Sequence, residues 1–162
     1  MIIDISQVLK GEGESLDFDG EVLIENFSFG GNSIEFSKPV SVSGRFKNLG
    51  DVIFLKGKAK ASLNAVCGRC LRNFPKIIEF SLEHKFSKQP DSDEISEFFG
   101  NEIFIDDVLC RELCINLPIS FLCSEDCKGL CPICGKDLNE GKCSCETDEI
   151  DPRMAVLKNF LK

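Results

Sequence analysis

Cysteine spacing constrains this chain more than any other feature of its sequence. Six of the ten cysteines lie in the stretch from Cys123 to Cys145, which reads CSEDCKGLCPICGKDLNEGKCSC. Within it, Cys131-Pro-Ile-Cys134-Gly has the form of a metal knuckle, because two thiolates separated by two residues can face one ion while the glycine lets the backbone curl. Cys67-Gly-Arg-Cys70 repeats this spacing earlier in the chain. We therefore expect a protein built around thiolate metal sites.

The composition and the N-terminus indicate the compartment. Hydrophobic residues make up 43% and charged residues 28% of the 162 residues, as in ordinary globular proteins. No apolar run approaches the roughly 20 residues of a membrane span, and the first residues, MIIDIS, lack the pattern of an export signal. We expect a cytoplasmic protein without membrane contact, where C-x-x-C pairs bind metal more often than they form disulfides.

The cysteines divide into eight candidate ligands and two packing residues. Cys110 and Cys114 fall on the apolar stripe of a predicted helix, where thiols pack as small hydrophobic groups. One four-sulfur site can close locally, and a second joins distant parts of the chain. The local set is Cys131, Cys134, Cys143 and Cys145, and the long-range set is Cys67, Cys70, Cys123 and Cys127. The alternative assignment places Cys127 in the local site in place of Cys145.

Four thiolates with no histidine nearby are typical of a closed structural zinc site, whereas a catalytic zinc keeps one position open for water. We therefore expect two Zn²⁺ ions and no enzymatic activity. Iron is the alternative metal, because the C-P-I-C-G sequence is similar to a rubredoxin knuckle and thiolates alone do not separate the two ions. The alternative to metal binding is that the cysteines of each C-x-x-C pair are free thiols packed in the fold. His84, the one histidine, is expected to be a core residue.

Alternating residues predict the fold class, α+β with an antiparallel sheet. From Leu55 to Cys67 small and apolar residues share one strand face and lysines the other, and a second alternating run follows from Ile78 to Phe86. These runs predict a long hairpin with the C-G-R-C sequence at its tip. We expect a strongly curved sheet or small open barrel with one covering helix over residues 1–122. Residues 123–162 are expected to form a cysteine-rich metal-binding segment with a terminal helix, docked on the first domain.

Two further segments have the composition of loops. The stretch from Gly11 to Gly20 combines acidic pairs with three glycines, and the stretch from Gln89 to Asn101 is acidic and contains a proline. We expect both to be exposed and irregular.

Charge is distributed unevenly along an acidic chain of net charge −8. Residues 51–90 carry eight basic and three acidic side chains. Their candidate RNA-binding residues are Lys56, Lys58, Lys60, Arg69, Arg72 and Lys76. The alternative is a solubilising outer strand face. The acidic stretch from Asp91 to Asp107 would suit a basic partner protein, or it is simply a solvated loop and helix start.

An ordered set of motifs resembles the YceD family of large ribosomal RNA subunit accumulation proteins. The motifs are Cys67-Gly-Arg-Cys70, Asn116-Leu-Pro118, CSEDCKGLCPICGKDLN and Asp151-Pro-Arg153, and the resemblance runs from about residue 55 to the end. It implies a bacterial or plastid protein needed for accumulation of large-subunit ribosomal RNA, with no assigned catalytic residue.

We therefore expect a non-enzymatic zinc-binding ribosome-assembly factor that binds large-subunit RNA or a basic ribosomal protein and has no small-molecule substrate. The alternative function is a rubredoxin-like iron electron carrier. A metal-assisted nuclease is the weakest hypothesis, because the sequence shows no carboxylate cluster and no open metal position.

Overall fold

The computed structural model describes residues 1–145 of the chain. Its elements are a short 3₁₀ helix, Val8–Lys10, one α-helix, Asp106–Asn116 (α1), and a set of strands. The strands are Ile2–Asp4 (β1), Ser15–Val22 (β2), Phe27–Phe29 (β3), Asn32–Phe36 (β4), Val40–Asn48 (β5), Ile53–Val66 (β6), Asn73–Ser87 (β7), Ile95–Glu97 (β8) and Glu102–Phe104 (β9). The fold is thus mostly antiparallel sheet with one helix, as expected.

The centre of the sheet is the hairpin of β6 and β7, which pair from Ile53↔Phe86 to Val66↔Asn73. Because side chains alternate along a strand, apolar residues such as Leu55 and Leu82 are buried on one face. On the other face Lys56, Lys58 and Lys60 are exposed. The hairpin therefore separates the core from a charged outer face.

The remaining strands extend the sheet without closing it. β5 pairs with the first half of β6 and carries β2 on its other side, while β4 pairs with β6 nearer the tip and carries β3. Gly44 and Gly57 are direct partners across β5 and β6, and a Cβ on Gly57 would lie 2.5 Å from the Ser43 carbonyl oxygen. This close approach requires glycine at position 57. The sheet is not a closed barrel.

α1 covers the apolar face beside β7. Asp106 and Asp107 in its first turn place negative charge at the positive end of the helix dipole, which stabilises the helix. Its buried residues, Val108, Leu109 and Leu113, pack against the core. Pro118 follows the helix and cannot continue it. No helix within residues 1–145 is long and apolar enough to cross a lipid bilayer.

Two of the segments expected to be loops contain strands. Residues 15–22 form β2, in which Leu16, Phe18 and Val22 face inward while acidic residues face solvent, and Phe18 stacks on Phe46 at a centroid distance of 5.0 Å. The segment from Gln89 to Asn101 contains β8, which pairs in parallel with the end of β7. The loop prediction for residues 15–22 was wrong because acidic side chains on one face hid the period-two pattern, whereas residues 89–101 are mostly exposed and irregular outside β8. The predicted terminal helix lies outside the described residues.

Candidate functional site

Both C-x-x-C sequences fold into the same turn. The residue after the second cysteine donates its amide to the carbonyl of the first, at 2.9 Å for Leu71 to Cys67 and 2.9 Å for Gly135 to Cys131. That residue has a positive φ in each turn, 58° at Leu71 and 73° at Gly135. Glycine adopts this conformation freely, whereas a leucine there is strained. The two knuckles therefore share one backbone conformation, and only the second has glycine at the position with positive φ.

The first group of four sulfurs joins the hairpin tip to the segment after α1. Its Sγ atoms lie within 4.8 Å of one another and belong to Cys67, Cys70, Cys123 and Cys127. Burial opposes ionisation of the Cys67 thiol, but nearby backbone amides, those of Cys70, Cys123 and Arg69, outweigh it and lower the pKa of Cys67 to about 6. Burial and neighbouring sulfurs raise the pKa of Cys123 to about 12. The Cys67 thiolate thus forms near neutral pH, whereas a bound cation would be needed to ionise Cys123.

The second group lies entirely within the cysteine-rich stretch. Its Sγ atoms also lie within 4.8 Å of one another and belong to Cys131, Cys134, Cys143 and Cys145. The amides of Cys134 and Ile133 lower the pKa of Cys131 to about 6, while contact with Cys134 raises that of Cys145 to about 12. The structure thus brings the eight sulfurs together in the first of the two groupings considered above, with Cys127 beside Cys67.

The sulfur spacing of the first group fits a tetrahedral ion. Four sulfurs placed 2.3 Å from a central metal at tetrahedral corners lie about 3.8 Å apart. Cys67 and Cys127 have their Sγ atoms 3.8 Å apart, and Cys70 and Cys123 have theirs 3.7 Å apart. The first tetrad can therefore hold a metal ion that accepts thiolate ligands, and the second, whose sulfurs also lie within 4.8 Å of one another, can do the same.

Arginines from the hairpin tip tie the two cysteine groups together. The Arg69 guanidinium donates to the carbonyl oxygens of Glu125 at 3.2 Å and Cys127 at 2.8 Å. Its own carbonyl accepts the amide of Leu130 at 3.2 Å. The closely placed Gly129 has φ 73°, and a Cβ there would lie 3.0 Å from that same carbonyl oxygen. The third residue of C-G-R-C thus positions the chain between the two tetrads.

A second set of contacts runs from the loop after Cys134. Asp137 accepts a hydrogen bond from Arg72 at 3.2 Å, and contacts with Asn139, followed by Arg72, keep the pKa of its carboxyl below the usual value. Asn139 accepts the Lys128 amide at 2.8 Å and donates its side-chain amide to Sγ of Cys127 at 3.6 Å. Sequence reasoning did not single out Asp137 or Asn139. Their one signal is the position of an Asp-Leu-Asn turn between two cysteine pairs.

The predicted RNA-binding residues fall into separate environments. Arg69 and Arg72 contact the cysteine-rich stretch as described, and Lys76 is exposed near the tip. On the outer face, Lys56 pairs with Glu83 and Lys60 with Glu79, each at 3.0 Å. Lys58 lies between Ser43 and Ser81 on the neighbouring strands and has no ion pair within residues 1–145. The lysine column is therefore partly neutralised by the acidic column of β7.

His84 lies inside the sheet, 7% exposed. Its Nε2 is 2.8 Å from Ser96 Oγ, and its ring meets Phe86 edge-on at a centroid distance of 5.0 Å. Burial, together with the positive charge of Arg111, lowers the pKa of His84. The histidine is thus a core residue and lies apart from the sulfurs.

Comparison with known proteins places the motifs in a family context. The family model of the large ribosomal RNA subunit accumulation protein YceD matches residues 55–161. YlbN of Bacillus subtilis is 25% identical over 163 residues, covering 98% of this chain and 95% of its own length. Rv2926c of Mycobacterium tuberculosis is 28% identical over 125 residues, covering 72% of this chain.

The match covers 59% of the mycobacterial relatives, so the chain spans about three fifths of their length. No solved structure matches the chain. Because the family model covers most of the chain, from β6 through both cysteine groups, the chain belongs to the YceD family of large ribosomal RNA subunit accumulation proteins.

Proposed function

We propose that this protein is a zinc-binding ribosome-assembly factor that supports accumulation of large-subunit ribosomal RNA without catalysing a reaction. The observation that carries the proposal is the family match over residues 55–161, which gives a ribosome-related role. The two tetrads fit that role as structural supports, because four protein sulfurs around one ion leave no position for water or substrate.

The proposed RNA contact is the exposed lysine column of β6, Lys56, Lys58 and Lys60. These ammonium groups stand on alternate residues of one strand, so they would follow a phosphate backbone along roughly 13 Å. Pairing with Glu79 and Glu83 does not remove them from use, since exposed ion pairs contribute little free energy and exchange easily for phosphate. A basic ribosomal protein on the acidic stretch from Asp91 to Asp107 is the competing partner.

The RNA contact is tested by co-sedimentation with large-subunit precursor particles. Changing all three lysines to glutamine should release the protein from the particles at lower salt than the parent protein requires. Glutamine is chosen because glutamate would place like charges opposite Glu79 and Glu83. The matched control changes the exposed Lys10, Lys38 and Lys128 to glutamine, which alters net charge equally. Identical sedimentation of the two variants would remove the β6 face from the proposal.

The metal is tested by elemental analysis together with a visible absorption spectrum. Zinc should be found at two equivalents per chain in a colourless protein. A red protein containing iron would instead support the alternative of a rubredoxin-like electron carrier.

A further inference from the structure

The outer face of the sheet carries a groove at the end of the hairpin remote from the cysteines. Its volume is about 720 Å³, and it lies across β5, β6 and β7. The residues that matter for its chemistry are Arg45, Lys47, Leu49, Phe54, Lys56 and Lys58.

The charge of this groove is positive after its ion pairs are taken into account. Asp17 is held by Arg45, whose Nη2 lies 2.9 Å from Oδ2, and Glu83 is held by Lys56. Both acidic groups of the lining are therefore already neutralised. Lys47 and Lys58 have no ion pair within residues 1–145. An anion entering the groove meets two uncompensated ammonium groups.

Phe54 gives the groove an aromatic surface. It is half-buried on the face opposite the core, and its direct cross-strand partners are Lys47 on β5 and Lys85 on β7. Within the described chain the lysine that lies over an aromatic ring is Lys88, on Phe98, so neither neighbour of Phe54 caps its ring. A ring flanked on two sides by ammonium groups suits a base that stacks while its phosphates reach the lysines.

A second depression, of about 780 Å³, meets the first at Lys58 but has a different character. Its β2 side presents Asp19 and Glu21, which have no cation partner in residues 1–145. These carboxylates would repel phosphates. The face is therefore more favourable for an anionic chain on the Phe54 side of Lys58 than on the side next to β2.

We infer that this groove, centred on Phe54, lined by Lys47 and Lys58 and flanked by Lys85, binds single-stranded RNA by base stacking and phosphate contact. The inference rests on the proposed function and moves the recognition site away from the metal tip. It also gives a role to Phe54, an aromatic side chain on the face of the sheet opposite the core. A duplex offers its bases no access to the ring, so unpaired segments are the preferred ligand.

Fluorescence anisotropy with labelled single-stranded oligouridine and oligoadenine tests this inference. Phe54→Leu keeps an apolar side chain but removes the aromatic face, and it should weaken binding at least about fivefold. Lys47→Gln with Lys85→Gln should reduce the dependence of log K on log salt by about 0.7 for each lost phosphate contact. Controls are Phe29→Leu, a half-buried ring elsewhere, and the Lys10→Gln, Lys38→Gln pair. All variants must retain the parent melting temperature.

Three outcomes overturn the inference. The first is Phe54→Leu binding as tightly as the parent protein, and the second is a duplex of equal length binding more tightly than the single strand. The third is polyglutamate displacing the labelled RNA as well as unlabelled RNA does. The last result would assign the groove to an acidic protein. Because Phe54, Lys47 and Lys85 are outside the lysine triplet of the proposed function, loss of co-sedimentation in that triplet with no effect here would leave the proposed function intact.

Discussion

The side chain of Asn139 donates a hydrogen bond to Sγ of Cys127, at 3.6 Å, although the two residues belong to different cysteine groups. Two further hydrogen bonds fix the Asn139 side chain for this contact. Its Oδ1 accepts the Lys128 backbone amide, and its Nδ2 donates to Oδ1 of Asp137 at 2.6 Å. Hydrogen bonds to a ligand sulfur orient it and stabilise its charge. The loop of the second group thus completes the surroundings of the first.

Replacing Asn139 by alanine should weaken metal binding at the first group by about tenfold or more, the usual effect of losing a hydrogen bond to a metal ligand. Competition with a chelator measures the affinity, and ¹¹³Cd NMR of the cadmium-loaded protein separates the two groups. Asn73→Ala, at an exposed hairpin residue, is the control. Equal loss of affinity in both groups would show that the contact is a general packing effect.

Leu71→Gly should stabilise the metal-loaded protein by about 0.5–1 kcal/mol. Leucine has φ 58° there, a conformation that costs an L-residue about 1–2 kcal/mol, and its side chain is 65% exposed, so little packing is lost. Urea unfolding measures the change. Leu71→Ala retains the Cβ and the strain, and it should not be stabilising. A gain for alanine equal to that for glycine would contradict this explanation.

Cysteine variants should separate ligands from packing residues by metal content. Cys67→Ser should reduce bound metal from two equivalents to one and loosen the hairpin tip, because it removes a buried ligand. Cys114→Ser should retain both, since Cys114 lies half-buried on α1, away from both groups. Metal analysis after gel filtration makes the measurement. One lost equivalent in Cys114→Ser would reassign that residue.

Stability should fall in mild acid partly because of His84. Burial lowers its pKa below the unfolded value of about 6.5, so the folded state binds the proton less tightly than the unfolded chain. Its contribution is therefore complete above about pH 6.5 and is lost as the pH falls toward the folded pKa, at no more than about 1.4 kcal/mol per pH unit.

His84→Gln should flatten this part of the pH profile. The free energy of unfolding is compared at pH 7.5 and 5.5 for both metal-saturated proteins, so that the cysteine contribution cancels in the difference. Parallel profiles for the two proteins would mean that His84 does not titrate differently on folding.

Local patterns in the sequence were enough for the hairpin and for the two C-x-x-C knuckles. Alternation from Leu55 to Phe86 specifies both faces of β6 and β7, and C-x-x-C spacing specifies each knuckle, because both depend on residues close in sequence. β2 was missed for the opposite reason. The role of its acidic residues depends on pairing with β5, where Asp17 accepts a hydrogen bond from Arg45, 28 positions later in the sequence.

The contacts between the two cysteine groups were also beyond local reasoning. Arg69 and Arg72 carry the charge expected of RNA-binding residues, yet their guanidinium groups donate hydrogen bonds within the protein. Arg69 donates to the carbonyl of Cys127 and Arg72 to the carboxylate of Asp137, which lie 58 and 65 positions away. Only the folded chain shows which cations are left for a ligand. In the folded chain the lysines around Phe54 are better candidates for RNA contact than the arginines at the tip.

β6 runs without interruption from Ile53 to Val66, a ribbon of roughly 45 Å with β7 bonded along its whole length. The groove begins at one end of this ribbon and the sulfurs at the other. Because β6 and β7 are hydrogen-bonded along this length, the backbone fixes the distance between the groove and the sulfurs. If the tetrads hold metal, its removal should loosen the hairpin at the Cys67 end, while the pairing of β6 with β7 should keep Phe54 and its flanking lysines in register at the other end.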